Sequence, residues 1–155
     1  QNRGKAVAAI KKTNFKMTNM NIDLSGVNHI TLACTDLPKS IAFYRNTLGA
    51  TLKAEWPKGA YFEVGDLWLC LALEKQVIPR DDDTHVAFSC AQSAFDYTAD
   101  HIAETAKQWK TNTSEGASLY FLDPDGHKLE LHAGSLQSRL AHYAQTKPDG
   151  MQFYH

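Results

Sequence analysis

Polar and apolar side chains alternate along two short stretches near the C-terminal end, 118–122 and 128–132, on either side of Asp-Pro-Asp-Gly. Alternation with a period of two is typical of β-strands, and this turn sequence favours a tight reversal between them. The pattern predicts a hairpin with Glu130 in mid-strand, on the same face as Lys128 and His132. A buried carboxylate needs a partner, and a metal ion is one candidate. A solvated face of an antiparallel sheet is the alternative.

The order of predicted elements occurs twice along the chain. The first unit has a strand at 26–34, a helix between Asp36 and Gly49, and three more strands, whereas the second has a strand at 84–90 and a helix at 93–106. The remaining strands are expected at 51–56, 60–64, 67–73, 108–110, 118–122 and 128–132. Two βαβββ units predict an α+β fold of two tandem modules with mixed sheets forming a cleft, since neither unit buries its sheet alone.

Residues at equivalent places in the two units suggest a shared site. His29 and His85 fall in the first strands, and Cys70 falls on the position of Glu130. A His, His, Glu set leaves coordination positions open, as a catalytic metal site requires. Cys70 would either complete a closed structural site or line the cleft, and we expect the second.

The charge distribution separates a leading segment from the body of the chain. Residues 1–22 hold five of the 16 basic residues and no acidic one, which leaves 11 basic against 17 acidic residues. An acidic body disfavours nucleic acid, and no apolar run approaches a membrane span. We expect a disordered basic extension at 1–22 and one domain at 23–155, with module one at 24–78, module two at 82–134 and a C-terminal segment at 135–155.

The three cysteines indicate the redox compartment. Cys34, Cys70 and Cys90 form neither a C-x-x-C pair nor an even set, and each falls in an apolar, strand-like run. We therefore expect structural thiols in a reduced, cytoplasmic protein.

Longer motifs carry a resemblance. Gly-Val-Asn-His-Ile-Thr-Leu-Ala begins at Gly26, and Trp-Lys-Thr-Asn-Thr-Ser-Glu-Gly-Ala-Ser-Leu-Tyr-Phe-Leu-Asp-Pro-Asp-Gly-His-Lys-Leu-Glu covers 109–130. With the paired units, they resemble the vicinal oxygen chelate superfamily and, within it, the FosA-type fosfomycin-resistance glutathione transferases. The resemblance runs from about residue 24 to the C-terminus. It implies a homodimer, with modules paired across chains, that opens the epoxide of fosfomycin by adding glutathione and so gives antibiotic resistance.

The same resemblance implies roles for individual residues. Mn²⁺ would be held by His29, His85 and Glu130. In each site, His29 would come from one chain, and His85 and Glu130 would come from its partner. Thr31 would lie beside the epoxide oxygen and Tyr61 near the incoming thiol, both as catalytic residues. Substrate-binding positions would be Thr31, Trp68, Cys70, Lys110, Ser114, Ser118, Tyr120 and Arg139, and the last five of these would hold the phosphonate. A K⁺ loop would consist of Asn112, Ser114, Glu115, Gly116 and Ser118.

The chemistry of these residues agrees with an anionic substrate, because a phosphonate suits a cationic, hydroxyl-rich pocket. The planar guanidinium of Arg139 can donate two hydrogen bonds to it. The chain departs from the family pattern at Asp83, Thr113 and Ala72. The last two changes lie on the thiol side, which leaves the preferred thiol open. Asp83 places a negative charge near an anionic substrate.

Three other functions are possible on this scaffold. A dioxygenase would use the same triad with Fe²⁺, and a glyoxalase-like isomerase normally takes a second carboxylate where Cys70 stands. A metal-free antibiotic-binding protein would instead use an aromatic cleft, which Trp56, Tyr61 and Trp68 can furnish.

Overall fold

A computed structural model describes residues 23–154, so the extension predicted at 1–22 lies outside the described residues. The elements in chain order are β1 His29–Cys34, α1 Leu37–Asn46, β2 Thr51–Trp56, β3 Gly59–Val64, β4 Leu67–Leu73, β5 Val86–Ser89, a 3₁₀ turn Gln92–Ala94, α2 Phe95–Ala103, β6 Gln108–Lys110, β7 Ala117–Leu122, β8 Lys128–Ala133 and α3 Leu136–Thr146. The predicted repeat of βαβββ units is confirmed.

Three elements differ from the prediction by more than one residue at an end, and the first of them is β1, which begins at His29, whereas the strand was expected at 26–34. The strand expected at 84–90 is shorter, and His85 lies just before β5. The Thr84 amide donates to the Asp82 carboxylate at 3.0 Å instead of to a neighbouring strand, which accounts for the later start. The helix expected at 93–106 begins with the 3₁₀ turn and ends at Ala103. No side chain caps the start of α2, which fits its irregular first turn.

The strands form two four-stranded mixed sheets, ordered β1-β4-β3-β2 and β5-β8-β7-β6. In each sheet the first strand pairs in parallel with the last, and the other pairs are antiparallel. Thr31 lies opposite Cys70, and Ala87 lies opposite Glu130. Thr31 and Ala87 each lie two residues after a candidate histidine, His29 or His85. Cys70 and Glu130 therefore occupy equivalent positions in the two sheets, as predicted.

Helix α1 forms where its sequence predicts it. The Asp36 side chain accepts a hydrogen bond from the Lys39 amide at 3.1 Å, and Pro38 occupies the first turn. The helix buries Leu37 and Tyr44 against the sheets. Gly49, at a φ of +67°, then turns the chain into β2.

The turn 123–127, between β7 and β8, connects the second module to the first. Asp123 accepts a hydrogen bond from the Tyr44 hydroxyl at 2.7 Å, and Asp125 accepts one from the Thr35 hydroxyl at 2.6 Å. His127 Nε2 lies 2.7 Å from a main-chain carbonyl oxygen of β1. Burial, together with the Asp123 carboxylate, raises the pKa of Tyr44 far above its usual value, so its hydroxyl stays a donor.

One apolar core joins the modules and includes Phe62, Leu69, Ile102 and Phe121 among its fully buried side chains. Phe95 and Ile102 of α2 are buried in this core. None of the helices within residues 23–154 has the combination of length and apolarity that crossing a membrane requires.

Candidate metal and anion site

The second sheet carries a polar cleft of about 510 Å³. Its lining residues are Asp83, His85, Ala87, Lys110, Ser114, Tyr120, Glu130, His132, Gly134, Ser135, Leu136 and Arg139. Two of the three predicted metal ligands and four of the predicted phosphonate-binding residues therefore share one cavity.

Glu130 is buried in mid-strand, with 8% of its side chain exposed. Its Oε2 lies 2.9 Å from His85 Nε2, and its Oε1 accepts a hydrogen bond from the Ser118 hydroxyl at 2.6 Å. The hydrogen-bond partners and low exposure match the buried, partnered carboxylate predicted from the strand pattern. They contradict the alternative of a solvated polar face.

The orientation of His85 makes its contact with Glu130 suitable for a metal ion. His85 Nδ1 lies 2.5 Å from the main-chain carbonyl oxygen of Asp83, which can only accept, so this nitrogen donates. In a neutral imidazole Nε2 then carries a lone pair and faces a carboxylate oxygen. Two acceptors this close need a shared proton or a cation between them, and a histidine held by a carbonyl is a common arrangement at metal sites. The residues present therefore fit a divalent ion.

His132 is part of the same network, although the sequence assigned it no role. Its Nδ1 lies 2.7 Å from the Ser118 hydroxyl oxygen and 3.4 Å from Glu130 Oε1. Because the single Ser118 proton goes to Glu130, the His132 nitrogen must donate to Ser118. His132 thus orients the hydroxyl of a predicted phosphonate-binding residue. Its position two residues after Glu130, on the same strand face, was the available signal.

Lys110 brings a positive charge to the cleft. Its ammonium lies 2.8 Å from the Asp83 carboxylate and 5.1 Å from the centre of the Tyr120 ring. The hydrogen bond to Asp83 raises the pKa of Lys110, and the same contact lowers the pKa of Asp83. Both groups are therefore charged near neutral pH.

Arg139, on α3, anchors the loop 112–116 at the edge of the cleft. Its guanidinium donates to the Glu115 carbonyl oxygen at 2.8 Å and lies 3.4 Å from the Ser114 hydroxyl. The Asn112 side chain closes the loop by donating to the Gly116 carbonyl oxygen at 2.8 Å. Arg139 lies in the C-terminal segment expected at 135–155, where α3 forms.

The same loop contains an unsatisfied oxygen. Within the described part of the chain, Glu115 Oε2 is buried without a hydrogen-bond partner, although Arg139 Nε lies 3.7 Å away. A buried carboxylate oxygen without a donor is costly. Since carbonyl, hydroxyl and carboxylate oxygens suit a hard cation, the loop residues fit the predicted K⁺.

The predicted residues of module one lie on the other sheet. His29 begins β1, with its Nδ1 2.7 Å from the Asn28 side-chain oxygen and its ring 4.6 Å from the ring of Trp68. Tyr61 meets Trp68 edge-on at 5.1 Å between ring centres. Cys70 lies between Thr31 and Tyr61 in the sheet register.

The chain therefore carries two half-sites. His85 and Glu130 meet in the cleft of sheet two, whereas His29 lies on sheet one with Thr31 and Tyr61. Across residues 23–154, no cluster of three His, Cys, Asp or Glu side chains stands ready to hold a metal. The predicted triad is thus divided within one chain.

A family model and individual known proteins match this chain. The model of the Glyoxalase/Bleomycin resistance protein/Dioxygenase superfamily matches residues 26–131. Glutathione transferase FosA of Serratia marcescens is 48% identical over 135 residues, which cover 84% of this chain and 96% of that protein. Metallothiol transferase FosB of Staphylococcus haemolyticus is 41% identical over 143 residues, covering 84% of this chain and 99% of that protein.

A solved structure agrees with these relatives. The fosfomycin resistance protein FosX from Listeria monocytogenes, complexed with Mn(II) and a sulfate ion, matches with a TM-score of 0.67 at 31% identity. The match covers 76% of this chain and 99% of that one.

Proposed function

Because the chain belongs to the Glyoxalase/Bleomycin resistance protein/Dioxygenase superfamily, we propose that it is a metal-dependent transferase that adds glutathione to the epoxide of fosfomycin and so gives antibiotic resistance. One observation carries the proposal. The His85–Glu130 pair, which suits a metal ion, lies in the same cleft as a lysine, an arginine and hydroxyl groups that suit a phosphonate. The name of FosA, a glutathione transferase, supports the choice of glutathione, and the name of FosX, a fosfomycin resistance protein, supports the choice of fosfomycin.

The cleft would bind the phosphonate end of the substrate. Lys110 and Arg139 supply positive charge, and Ser114 and Tyr120 supply hydroxyl groups. Ser118, which donates its proton to Glu130 in this structure, would have to turn that proton toward the phosphonate. Charge-assisted hydrogen bonds of this kind are stronger than neutral ones and fix the orientation of an anion. Holding the phosphonate here would place the epoxide near Glu130.

His29, His85 and Glu130 would hold Mn²⁺, with His29 contributed by a second copy of the chain. The carbonyl that fixes His85 Nδ1 leaves Nε2 free to coordinate. When bound, the ion would act as a Lewis acid toward the substrate's oxygen atoms. This arrangement requires a homodimer in which module one, at 24–78, faces module two, at 82–134, of the other chain.

Residues on sheet one would guide the ring opening. The thiolate sulfur of glutathione bonds to the epoxide carbon that carries phosphorus, the carbon–oxygen bond breaks, and its electron pair goes to oxygen, which then takes a proton from water. Thr31 would donate a hydrogen bond to that oxygen, and Tyr61 would stabilise the thiolate. Trp68 and Cys70 would line this side of the cleft. All four lie on neighbouring strands of one sheet.

The loop 112–116, together with Ser118, would bind K⁺ beside the phosphonate pocket. The buried Glu115 Oε2, which accepts no hydrogen bond among the described residues, supports this, since a monovalent cation would satisfy it. The free thiols of Cys34, Cys70 and Cys90 fit a reduced cytoplasm, where glutathione is available.

The proposal is tested by ³¹P NMR of fosfomycin with the protein, Mn²⁺, K⁺ and glutathione, next to a metal-free control. We expect a new phosphonate resonance that requires both the metal and the thiol. Replacing glutathione with cysteine tests the choice of thiol that Thr113 and Ala72 leave open. Absence of a new resonance with every thiol would overturn the transferase proposal.

A further inference from the structure

Lys110, the one lysine among the described residues that line the cleft, is already paired with a carboxylate of its own chain. Asp83, in the segment before β5, lies 2.8 Å from the Lys110 ammonium and itself lines the cleft. The pair is at the rim, since 36% of the Lys110 side chain and 66% of the Asp83 side chain are exposed. Carboxylate and phosphonate oxygens seek the same donors, so both would compete for this ammonium.

The second cation of the cleft does not relieve this competition. Arg139 donates to the Glu115 carbonyl oxygen and to Ser114, which commits part of its guanidinium to the loop. Tyr120 lies under the Lys110 ammonium at 5.1 Å and offers a phenol without a full charge. An entering phosphonate therefore depends on Lys110, and it meets the negative charge of Asp83 there.

We propose that the Asp83 carboxylate is an internal competitor for Lys110 that lowers the affinity of the cleft for the phosphonate of the substrate. The inference rests on the proposed function and adds an affinity-determining residue to it. To bind, the phosphonate must either displace the Asp83 side chain or share Lys110 with it under like-charge repulsion.

The main chain and the side chain of Asp83 make separate contacts, so the proposed competition can be tested without disturbing His85. Its main-chain carbonyl holds His85 Nδ1 at 2.5 Å, whereas its side chain alone reaches Lys110. Asp83→Asn removes the charge and keeps the shape and the carbonyl. Asp81→Asn is the matched control, because it removes the same charge from an exposed position two residues earlier.

Calorimetric titration of fosfomycin into the Mn²⁺-saturated protein, without thiol, measures binding apart from turnover. We expect Asp83→Asn to tighten fosfomycin binding about two- to fivefold, as expected for an exposed ion pair. Asp81→Asn should change it by less than about 1.5-fold, because Asp81 is exposed and does not line the cleft, so solvent and salt screen its charge. Inorganic phosphate, as a second probe, should show the same order of affinities.

A second background distinguishes competition at Lys110 from a general effect of charge. In Lys110→Gln, adding Asp83→Asn should bring a clearly smaller gain, since the contested ammonium is gone and only the direct repulsion between Asp83 and the phosphonate remains. A gain of the same size in both backgrounds would overturn the inference. Unchanged or weaker binding by Asp83→Asn in the original background would also overturn it, because that is the result expected if the side chain only holds the structure in place. If the unsubstituted protein binds neither fosfomycin nor phosphate, both the inference and the proposed function fail.

Discussion

At the scale of single residues, one imidazole orientation decides what the second module can bind. The carbonyl of Asp83 accepts a hydrogen bond from His85 Nδ1, which turns Nε2 toward Glu130. Glu130 cannot turn away, because Ser118 and the strand hold it in place. The site therefore presents two fixed ligand atoms before any ion arrives, and little side-chain entropy would be lost on binding.

Replacing Glu130 with glutamine tests this arrangement. Glu130→Gln keeps the shape of the side chain and removes its charge, so we expect Mn²⁺ affinity to fall by at least about 100-fold, since even residues that only support ligands contribute about 10- to 100-fold. Titration of the metal-free protein, followed by the electron paramagnetic resonance of free Mn²⁺, measures this. Glu63→Gln, at an exposed position of β3, is the control. Mn²⁺ affinity within a few-fold of the unsubstituted protein would remove Glu130 from the metal site.

Some of these residue-level features could be predicted and others could not. The internal repeat identified His85 and Glu130, because aligning the two units shows which residues occupy equivalent positions. The hydrogen bonds of His132 depend on a neighbouring strand, β7, so its own position showed only that it shares a face with Glu130. The pairing of Asp83 with Lys110 joins a loop to another strand and leaves no periodic signal.

At the scale of elements, the loop 112–116 determines the shape of the anion pocket. Gly116 ends the loop at a φ of +86°, and its backbone passes close to the His132 ring. A Cβ at this position would lie 2.8 Å from His132 Cε1 and 3.1 Å from the Ala133 carbonyl oxygen. The loop therefore needs glycine for two reasons, the positive φ and the close approach.

A pair of glycine substitutions separates these reasons. Gly65, in the turn between β3 and β4, also has a positive φ, of +57°, but nothing lies within 4 Å of its added Cβ. We expect Gly65→Ala to cost about 1–2 kcal/mol in free energy of unfolding and to leave fosfomycin affinity unchanged. Gly116→Ala should cost more and also weaken fosfomycin binding, because it displaces His132. Urea unfolding and calorimetry measure both, and equal effects of the two substitutions would contradict this account.

The elements themselves were the most predictable part of the fold. Cap, proline and glycine signals placed α1, since each acts within a few residues of the chain. The second helix and β5 were predicted too long, because a missing cap and the hydrogen bonds around Asp82 and Asp83 shorten them. Apolar periodicity shows where an element can form, whereas local hydrogen bonds decide where it ends.

At the scale of the whole molecule, the turn 123–127 holds the modules together through polar contacts inside the core. Asp123 is buried and accepts from Tyr44 and from two amides of its own turn. Burial raises the pKa of Asp123, and the Tyr44 hydroxyl opposes that shift by favouring the carboxylate. The contact thus links the base of the Glu130 strand to α1 of module one.

Removing one hydroxyl tests the strength of this link. Tyr44→Phe leaves an oxygen of Asp123 buried without its donor, so we expect a loss of about 1–3 kcal/mol in the free energy of unfolding. Tyr97→Phe, on the exposed face of α2, should leave stability nearly unchanged. Urea denaturation followed by fluorescence measures both variants. Equal stability of Tyr44→Phe and the unsubstituted protein would show that the hydrogen bond contributes nothing to holding the modules together.

The division of the proposed triad between two sheets predicts complementation between inactive variants. His29→Ala and Glu130→Gln should each abolish fosfomycin turnover. If sites form across a symmetric dimer, a mixed dimer has one site with both defects and one site with none. Random mixing should then restore about one quarter of the original activity, since about half of the dimers are mixed and each has one intact site.

The control for this mixing experiment places both defects on one chain. Subunits of His29→Ala, Glu130→Gln mixed with the unsubstituted protein again give mixed dimers, but both sites of such a dimer carry one defect. Its activity should therefore fall below that of the unsubstituted protein diluted to the same extent without exchange. Sites formed within one chain predict the reverse, with no recovery between the single variants and no loss in the control. Turnover after subunit exchange thus decides whether His29 serves its own chain or the other.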